Sequence, residues 1–585
     1  MNPVLSKSSA LVTQKFREFF WPTVLATMAM QIGTILDSII VGNMLGADAM
    51  AGVGVCMPLT QILGAFSFLL TVGAGSMIAV AAGARQKEEA NRIFSAVLIL
   101  NGLAAVVFLL ILAPLLHEVA AFLAGEEKIA ALAYEYLDVM IWYIPFAMFA
   151  ASGSILVRTD GMAKLASQGV LLSQLVNVGL DLLLIGSGMG LTGAAVATVA
   201  GTASGMAWIG WRYFRTETRM LYFVGMAGSV RQFAGLARSL VQTGFPVASG
   251  MGLISLKVWC IYRILGMTGG ADAMAIYTVC MSCLSLLSLV MGGCQGAMVP
   301  VLGMLYGERD YLGVRMLVRY VMRFSMRLAG GLVIILVLFP QEVLALFNIS
   351  PSLYESGSVA IRLFSVSLIG VTLTFLLMYY YMTVGQKTAA NLLSWVEGIL
   401  VVVPAAWLLV QWMGLTGVWA AFVLAEVAGF AVLFVYIKRL EARDSRAFPD
   451  FFLIPQSTGS LLYDVSVQAA KENAVTLSKS AVKALRQSGM AEDIAIKAGV
   501  ALEEMAVNLA SRDAQKESSL DIRINKNETG VVIALRDNGA PFNPMEYTAG
   551  EKSQYLTDGI MLLKALAKDI KYSRVLSLNQ TLIEI

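Results

Sequence analysis

The sequence is poor in charged residues, and it holds one histidine and five cysteines among its 585 residues. Charged residues make up 14% of the chain and hydrophobic residues 58%. This composition places most of the chain in lipid rather than in a soluble core. The net charge of +3 is small and says little about partners. No nucleic-acid partner is expected.

The scarcity of histidine and cysteine excludes several chemistries. The one histidine, His117, lies in a predicted outer loop and no phosphoacceptor helix is present, so histidine-kinase phosphotransfer is excluded. All five cysteines lie in apolar runs, and Cys280 and Cys283 share one predicted helix without a second pair or a histidine nearby. Packing is therefore favoured over a metal site or a disulfide. Residues 1–18 lack the apolar core and cleavage site of a signal peptide, so the first helix is expected to be its own insertion signal.

What the sequence does contain is an internal repeat at an offset of 224 residues. Gly46–Ala51 recurs letter for letter as Gly270–Ala275, and Met189–Gly193 recurs as Met413–Gly417. The matching positions are largely turn and helix-breaking residues. Duplication of a hydrophobic segment is typical of secondary transporters, whose substrate and ion sites lie between or within two related bundles.

Apolar runs of about 20 residues, each long enough to cross roughly 30 Å of hydrocarbon, predict twelve membrane-spanning helices. Lys and Arg are concentrated in alternate connections, which places those connections and both termini in the cytoplasm and the protein in the plasma or inner membrane. We predict a first half of six spans in residues 1–224 and a second half in residues 225–440. The twelve spans are predicted near residues 19–42, 53–80, 93–115, 131–157, 165–186, 190–213, 239–265, 275–303, 324–347, 359–384, 389–411 and 415–437.

A soluble domain is predicted after a linker at residues 441–460. In residues 461–585, alternating apolar residues at Leu520–Ile524 and Val531–Leu535 predict a β-hairpin. Helices are predicted near residues 468–488, 491–511 and 558–569. The fold class is thus an all-α membrane domain of two six-helix repeats followed by an α+β domain on the cytoplasmic side.

Ionisable residues within the predicted spans are the first candidates for a functional site, because a charge near the bilayer centre costs roughly 2.5–3.5 kcal/mol. Asp37 lies late in the first span without a basic residue within one turn. Asn177 and Asp181 lie at i, i+4 on one face of the fifth span, and Thr198 of the sixth offers one more oxygen. Such oxygen ligands suit Na⁺ or a shared proton. The alternative interpretation is that they are satisfied polar contacts between helices.

The membrane part resembles the multidrug and toxic compound extrusion (MATE) transporters. The resemblance is carried by Leu36–Gly42 followed by Gly46–Ala51, by Asn177 with Asp181, and by Gly193–Thr198. It implies two six-helix lobes and export of organic, often cationic, compounds in exchange for inward H⁺ or Na⁺.

The resemblance also implies that Asp37, Asn177, Asp181 and Thr198 form the cation site of the first half. One branch of the family carries an acidic residue on the seventh helix, two turns after its proline. This chain has Ile254 and then Lys257 in that stretch, so an acidic site on that helix is not expected. Glu397 and Glu426 are weaker acidic candidates in the second half.

The predicted soluble domain carries its own motif. Glu504 and Asn508 lie at i, i+4 on one helix face, where a carboxylate can act on water beside an amide oxygen that holds Mg²⁺. A strand ends in Asp537, which can accept a hydrogen bond from an exocyclic amine, and Gly539 lets a ring approach the backbone. Asp558 and Gly559 are predicted to open a helix whose N-terminus can bind phosphate.

In this order, these motifs resemble the gyrase, heat-shock chaperone and histidine-kinase nucleotide fold, most closely its anti-sigma-factor serine/threonine kinases. The resemblance implies ATP and Mg²⁺ binding, with Asn508 at the metal, Glu504 as candidate base, and Asp537 and Gly539 at the adenine. Gly559 stands alone in the phosphate turn, where the family has further glycines, so binding is favoured over kinase turnover. A degenerate domain kept only for its contacts is the alternative.

The combined prediction is a cation-coupled exporter of organic cations with a cytoplasmic ATP-binding regulatory domain. Its expected partners are the organic substrate, membrane lipid and a protein regulator of the C-terminal domain. Two alternatives remain: a flippase for lipid-linked intermediates, and a membrane-anchored signalling serine/threonine kinase that uses the transporter-like part as a sensor. The sparse intramembrane cations, Lys257 and Arg263, argue against the flippase. The acidic site of the first half argues for transport.

Overall fold

The computed structural model describes residues 6–124, 127–225, 230–347, 349–456, 460–512, 518–528, 530–546 and 554–585. It consists of a helical membrane domain and a C-terminal domain built on one antiparallel sheet. The first half of the membrane domain comprises α1 (Ala10–Leu45), α2 (Ala47–Gly83), α3 (Lys87–Ala124), α4 (Glu127–Met140), α5 (Tyr143–Thr159), α6 (Ala163–Gly186) and α7 (Gly190–Phe214). The second half comprises α8 (Val230–Gly307), α9 (Tyr311–Leu338), α10 (Pro340–Leu346), α11 (Tyr354–Thr383), α12 (Lys387–Trp395), α13 (Val402–Met413) and α14 (Leu415–Arg443).

Within these described ranges, 9 helices are long and apolar enough to cross a membrane, and up to 10 if α4 and α5, bent by 57°, form one span. The long helix α8 contains two spans that join at Gly270, where φ is 62°. The bent pair α4–α5 counts as one span and brings the number to ten. The second span within α8 and the helix α7 bring it to the twelve predicted spans. The ninth differs from its prediction: α9 ends at Leu338 because Pro340 lacks a backbone N–H and starts the short helix α10.

The two halves pack together through α2 and α8. A Cβ on Gly83 would lie 2.1 Å from the carbonyl oxygen of Met304, and one on Gly307 would lie 2.1 Å from that of Val80. Gly83 and Gly307 are equivalent in the 224-residue repeat, so each half contributes a glycine that admits the backbone of the other. We call this end of the bundle, where α2 and α8 end, the domain-bearing end, because the C-terminal domain lies against it. The halves are closed against each other there.

The described residues of the C-terminal domain form a five-stranded antiparallel sheet in the order β1-β2-β3-β5-β4, together with three helices. The predicted hairpin is present as β2–β3. The sequence patterns did not predict the other three strands, and the last helix begins four residues earlier and ends three residues earlier than predicted. The elements are β1 (Leu461–Gln468), α15 (Lys471–Gln487), α16 (Glu492–Arg512), β2 (Ser519–Lys526), β3 (Val531–Asp537), α17 (Gln554–Leu566), β4 (Asp569–Val575) and β5 (Leu578–Glu584).

The sheet has one apolar and one charged face, because successive side chains of a strand point to opposite sides. Ile522 of β2 and Leu535 of β3 lie in the core formed with α15 and α16. Arg523 and Arg536, each the next residue along, face the membrane domain and contact Glu308 there.

The predicted linker is packed against the membrane domain. Helix α14 continues to Arg443, three residues into the predicted linker. The Tyr380 hydroxyl donates to the carbonyl oxygen of Phe452 at 2.7 Å, and Arg315 donates to that of Ile454 at 3.0 Å and pairs with Asp450. The C-terminal domain is therefore held close to the second half. The predicted boundary at 224/225 falls between α7 and α8, and the one at 460/461 falls at the start of β1.

Candidate functional site

Asp37 on α1 and Asp181 on α6 lie close enough for their carboxyl groups to interact. Asp181 is 0% exposed, and in the described part of the chain neither of its carboxyl oxygens has a hydrogen-bond donor. Asp37 is half-buried. Two adjacent carboxylates repel each other, and the buried one also lacks solvation, unless a proton or a cation is shared between them. The arrangement is therefore suited to binding one.

Asn177 and Thr198 extend this site along the contact between α6 and α7. The Asn177 amide donates to the Thr198 hydroxyl at 3.3 Å, and that hydroxyl donates to the carbonyl oxygen of Ala194 at 3.1 Å. The helices approach closely because Gly201 lacks a side chain: a Cβ there would lie 2.8 Å from the Cβ of Asn177. The structure thus places Asn177 one turn from Asp181, with its side chain bonded to Thr198.

Tyr136 of α4 also lies at this site, next to Asp37 and Thr198, and it is 6% exposed. It is not among the residues predicted from the sequence. A lone tyrosine on an apolar helix carries no local pattern that distinguishes a site residue from a packing residue.

The acidic candidates of the second half have partners of their own. The Lys257 ammonium lies 2.7 Å from a carboxyl oxygen of Glu397 and donates to the Glu397 carbonyl oxygen at 3.2 Å. Glu397 lies in a π-helical turn, Val396–Leu400, between α12 and α13. Glu426 accepts a hydrogen bond from the Thr374 hydroxyl at 3.0 Å. Since Lys257 neutralises Glu397, this pair needs no external cation.

The second half does not repeat the acidic site of the first half. At the 224-residue offset, Asp37 corresponds to Ile261 and Asp181 to Ala405. Lys257 instead corresponds to Gly33, one helical turn from Asp37 toward the domain-bearing end. The two halves share a backbone arrangement but carry different charges.

In the C-terminal domain, Asn508 of α16 is 2% exposed, and its side-chain oxygen has no hydrogen-bond partner within the described ranges. A buried amide oxygen without a donor fits a metal ligand. One turn earlier, burial raises the pKa of Glu504, and the neighbouring Glu503 raises it further. Both features are compatible with a Mg²⁺-nucleotide site on this helix.

Gly559 contacts Glu504 rather than opening a helix. Helix α17 begins at Gln554, so Gly559 lies within its second turn, and the predicted helix start at Asp558 and Gly559 is wrong. A Cβ on Gly559 would lie 2.1 Å from a carboxyl oxygen of Glu504. The glycine therefore leaves room for the Glu504 carboxylate between α16 and α17. The side chain of Asp558 lies outside the described residues.

Asp537 ends β3, is 4% exposed and lies beside Gly539, as the motif predicts. One carboxyl oxygen accepts the Gly539 backbone N–H at 2.9 Å and the Asn579 amide at 2.8 Å. Asn579 is on β5, directly paired with Asp537 in the sheet. The Arg512 guanidinium donates to the carbonyl oxygen of Ala540 at 2.8 Å, which connects α16 to this turn.

Comparison with known protein families identifies both parts of the chain. The MatE family model matches residues 22–183 and 246–408, which together are more than half of the chain. The two matched segments begin 224 residues apart, the offset of the internal repeat. The model of the histidine kinase-like ATPase domain matches residues 467–584. Both families implied by the sequence motifs are therefore confirmed.

Curated relatives match the membrane part. The Multidrug export protein MepA of Staphylococcus aureus (strain bovine RF122 / ET3-1) is 22% identical over 448 residues, covering 73% of this chain and 94% of that protein. The Probable multidrug resistance protein YoeA of Bacillus subtilis (strain 168) is 23% identical over 352 residues, covering 58% of this chain and 74% of that protein.

Solved structures confirm the fold of the membrane part. A crystal structure of MATE in the bent conformation superposes with a TM-score of 0.68 at 22% identity, covering 74% of this chain and 96% of that chain. An outward-facing multidrug resistance MATE family transporter of the MOP superfamily superposes with a TM-score of 0.66 at 23% identity, covering 73% and 96%. The predicted twelve-span fold with a small C-terminal sheet domain is confirmed.

Proposed function

The chain belongs to the MatE family, and from this premise we propose that it exports organic compounds in exchange for H⁺ or Na⁺ and that its C-terminal domain binds ATP in the cytoplasm. The names of the relatives, which describe multidrug export and multidrug resistance, support an organic substrate class. The observation that carries the ion coupling is the proximity of Asp37 to the buried Asp181, whose carboxyl oxygens have no hydrogen-bond donor among the described residues.

In this mechanism, the Asp37–Asp181 pair alternates between a loaded and an empty state. A proton or Na⁺ removes the repulsion between the carboxylates, and the loss of that ion restores it. The side-chain oxygens of Asn177, one helical turn from Asp181, and of Thr198, which is hydrogen-bonded to Asn177, would complete the coordination shell. Since the site is formed by helices of one half, its occupancy changes how those helices pack and thereby biases which end of the bundle is open.

Efflux of a fluorescent organic cation from tight proteoliposomes tests the coupling. H⁺ and Na⁺ gradients are applied separately to the wild type, to Asp181→Asn, and to Asp138→Asn, in which an exposed aspartate of α4 is neutralised as a matched control. We expect gradient-driven efflux in the wild type and the control and its loss in Asp181→Asn, and the effective gradient identifies the ion. Undiminished efflux in Asp181→Asn would contradict this assignment.

The C-terminal residues fit a nucleotide with its metal. Asn508 would hold Mg²⁺, which neutralises phosphate charge, while Asp537 and Gly539 would contact the adenine and Glu504 is the candidate base. The buried, unpartnered oxygen of Asn508 supports this proposal. Regulation of transport by the bound nucleotide, and a protein regulator that binds this domain, belong to the same proposal.

Titration of the purified full-length protein with a fluorescent ATP analogue and Mg²⁺ tests nucleotide binding. We expect Asn508→Ala and Asp537→Asn to weaken binding about ten-fold or more, which corresponds to the loss of one strong polar contact. Asn473→Ala, which removes an exposed amide that donates to the Gln468 carbonyl oxygen, serves as the control and should bind like the wild type. Equal affinity in all four proteins would refute the site.

A further inference from the structure

The C-terminal domain is joined to the second half of the membrane domain through buried charges. Glu308 and Asp310 lie in the connection between α8 and α9, and their side chains are 2% and 1% exposed. A carboxyl oxygen of Glu308 accepts from Arg523 at 3.0 Å and from Arg536 at 2.9 Å. Arg536 also donates to Asp310 at 3.0 Å, and Gln580 donates to Glu308.

The chain start takes part in the same contact. The Lys7 ammonium lies 2.8 Å from Asp464 of β1, 3.8 Å from Asp521 of β2 and 3.7 Å from Asp310. Arg85, between α2 and α3, interacts electrostatically with Glu308. Carboxylates and cationic groups are equal in number in this set, which we call the docking network: Glu308, Asp310, Asp464 and Asp521 with Lys7, Arg85, Arg523 and Arg536.

The domain also touches the first half of the membrane domain. The turn between β4 and β5 lies against the connection between α5 and α6, where a Cβ on Gly161 would be 3.0 Å from the Cα of Leu576. Leu576 is 2% exposed and belongs to the apolar core of the membrane domain. Asn538 donates to Gln14 of α1 at 3.2 Å. One domain thus contacts both halves at the domain-bearing end.

This placement has a mechanical consequence. A transporter of this kind opens its substrate site first to one side of the membrane and then to the other. In one of these states the halves must separate at the domain-bearing end, and this separation breaks contacts such as that between Gly83 and Met304. A domain bound to both halves opposes that separation, because opening must also break the docking network or the Gly161–Leu576 contact. Charges buried without partners are costly, so the bound state is favoured while the network is complete.

The nucleotide site and the docking network share two strands. Asp537, at the nucleotide site, directly follows Arg536 on β3, and Asn579, which bonds to Asp537, directly precedes Gln580 on β5. In the sheet register, Asp537 pairs with Asn579 and Arg536 pairs with Gln580. Neighbouring side chains on a strand point to opposite sides of the sheet. The pair Asp537–Asn579 therefore lies on the side of the nucleotide site, and the pair Arg536–Gln580 lies on the other side, where both residues contact Glu308.

We propose that the C-terminal domain, without nucleotide, holds the two halves closed at the domain-bearing end, and that an adenine nucleotide bound at Asp537 releases this contact. An adenine amine that binds Asp537 competes with the Asn579 amide for the same carboxylate. Displacing Asn579 shifts β5 against β3 and draws Gln580 and Arg536 away from Glu308. The inference rests on the proposed nucleotide-binding function and adds its direction: nucleotide binding speeds transport.

The test uses full-length protein in proteoliposomes with a non-hydrolysable ATP analogue on the side of the C-terminal domain. Efflux is measured together with the distance between two spin labels, which are attached at Glu88→Cys and Thr388→Cys. These positions are exposed, one on each half, at the domain-bearing end. The five native cysteines are replaced by alanine so that only these two positions are labelled. The wild type is compared with Glu308→Gln, with Leu576→Ala, which leaves every charge paired, and with Glu472→Gln, an exposed control glutamate.

We expect the analogue to raise wild-type and control efflux roughly five-fold or more and to lengthen the label distance. Glu308→Gln and Leu576→Ala should show the raised efflux and the longer distance without nucleotide, and they should bind the analogue more tightly than the wild type, because nucleotide no longer has to break the contact. The inference is overturned if the analogue binds but changes neither efflux nor distance, or if both variants respond like the wild type.

Failure of the proposed function gives different results. A wild type without efflux under any gradient would refute the transport proposal, while the label distance would still report whether nucleotide separates the halves. A wild type that does not bind the analogue would refute the nucleotide proposal and the release step. In that case, an unchanged label distance in Glu308→Gln would also refute the proposal that the docking network holds the two halves closed.

Discussion

Asp310 combines two roles, because it belongs to the docking network and begins α9 as its N-cap. One carboxyl oxygen accepts the Gly313 backbone N–H at 2.9 Å, while the other accepts from Arg536. Burial alone would raise the pKa of Asp310, but Arg523, Lys7 and Arg536, together with the Gly313 N–H, outweigh it and hold this pKa well below its usual range. The carboxylate therefore stays charged in the folded protein.

The change Asp310→Asn separates these roles, because asparagine can still cap the helix. A carboxyl whose pKa is depressed by folding stabilises the protein above its unfolded pKa and loses that effect as the pH falls. We expect Asp310→Asn to lower stability by about 3 kcal/mol at pH 7 and the difference from wild type to shrink below about pH 4. Thermal unfolding at several pH values measures both effects.

Asp569→Asn is the matched control, because Asp569 forms an exposed pair with Lys571 at 3.1 Å. Exposed pairs contribute about 0–1 kcal/mol, so its unfolding temperature should stay close to wild type. A difference between Asp310→Asn and wild type that stays constant down to pH 3 would show that the charge of Asp310 is not the cause.

At the scale of elements, spacing within one helix predicted which site residues share a face, and contact between helices decided what they bind. Asn177 with Asp181, and Glu504 with Asn508, lie on common faces because i and i+4 positions adjoin in a helix. The hydrogen bond of Asn177 to Thr198, the place of Tyr136, and Asn579 beside Asp537 come from other elements. Local periodicity carries no information about these pairings.

Gly559 of α17 faces the Glu504 side chain of α16. We expect Gly559→Ala to displace the Glu504 carboxylate, since its Cβ would lie 2.1 Å from an oxygen of that flexible side chain, and to cost about 1 kcal/mol of stability. Affinity for an ATP analogue should fall about ten-fold, as expected for roughly 1.4 kcal/mol. The double variant Gly559→Ala/Glu504→Ala removes the clashing carboxylate and should recover both stability and binding. If the double variant binds no better than Gly559→Ala, crowding by Glu504 is not the reason.

At the scale of the whole molecule, the contact between the halves rests on glycines near the ends of α2 and α8, and the C-terminal domain covers the same end. Gly83 and Gly307 admit backbone carbonyls that any side chain would displace. The repeat places these glycines at equivalent positions, so the closed state is built from both halves alike. A transporter that alternates between states needs this closure in part of its cycle.

Gly83→Val should prevent closure at the domain-bearing end and reduce efflux in proteoliposomes at least ten-fold, since the first atom of the side chain would already overlap the Met304 carbonyl. Gly64→Val is the control on the same helix, because a Cβ on Gly64 would have no atom within 4 Å. Circular dichroism verifies that both variants keep their helices. Similar efflux in the two variants would mean that the tight α2–α8 contact is not required for transport.

The sequence by itself determined the spans, the duplication, the two families and the members of each motif that share a helix or a strand end. These features depend on apolar length, periodicity and turn residues, which are local properties of the chain. Only the tertiary structure decided that Asp37 meets Asp181, that Lys257 neutralises Glu397, and that the linker packs on the second half. It also decided the docking network, in which Lys7 meets Asp464 and Glu308 meets Arg536. Such pairs join residues far apart in the chain, and their formation depends on which surfaces become buried together rather than on any pattern in their neighbours.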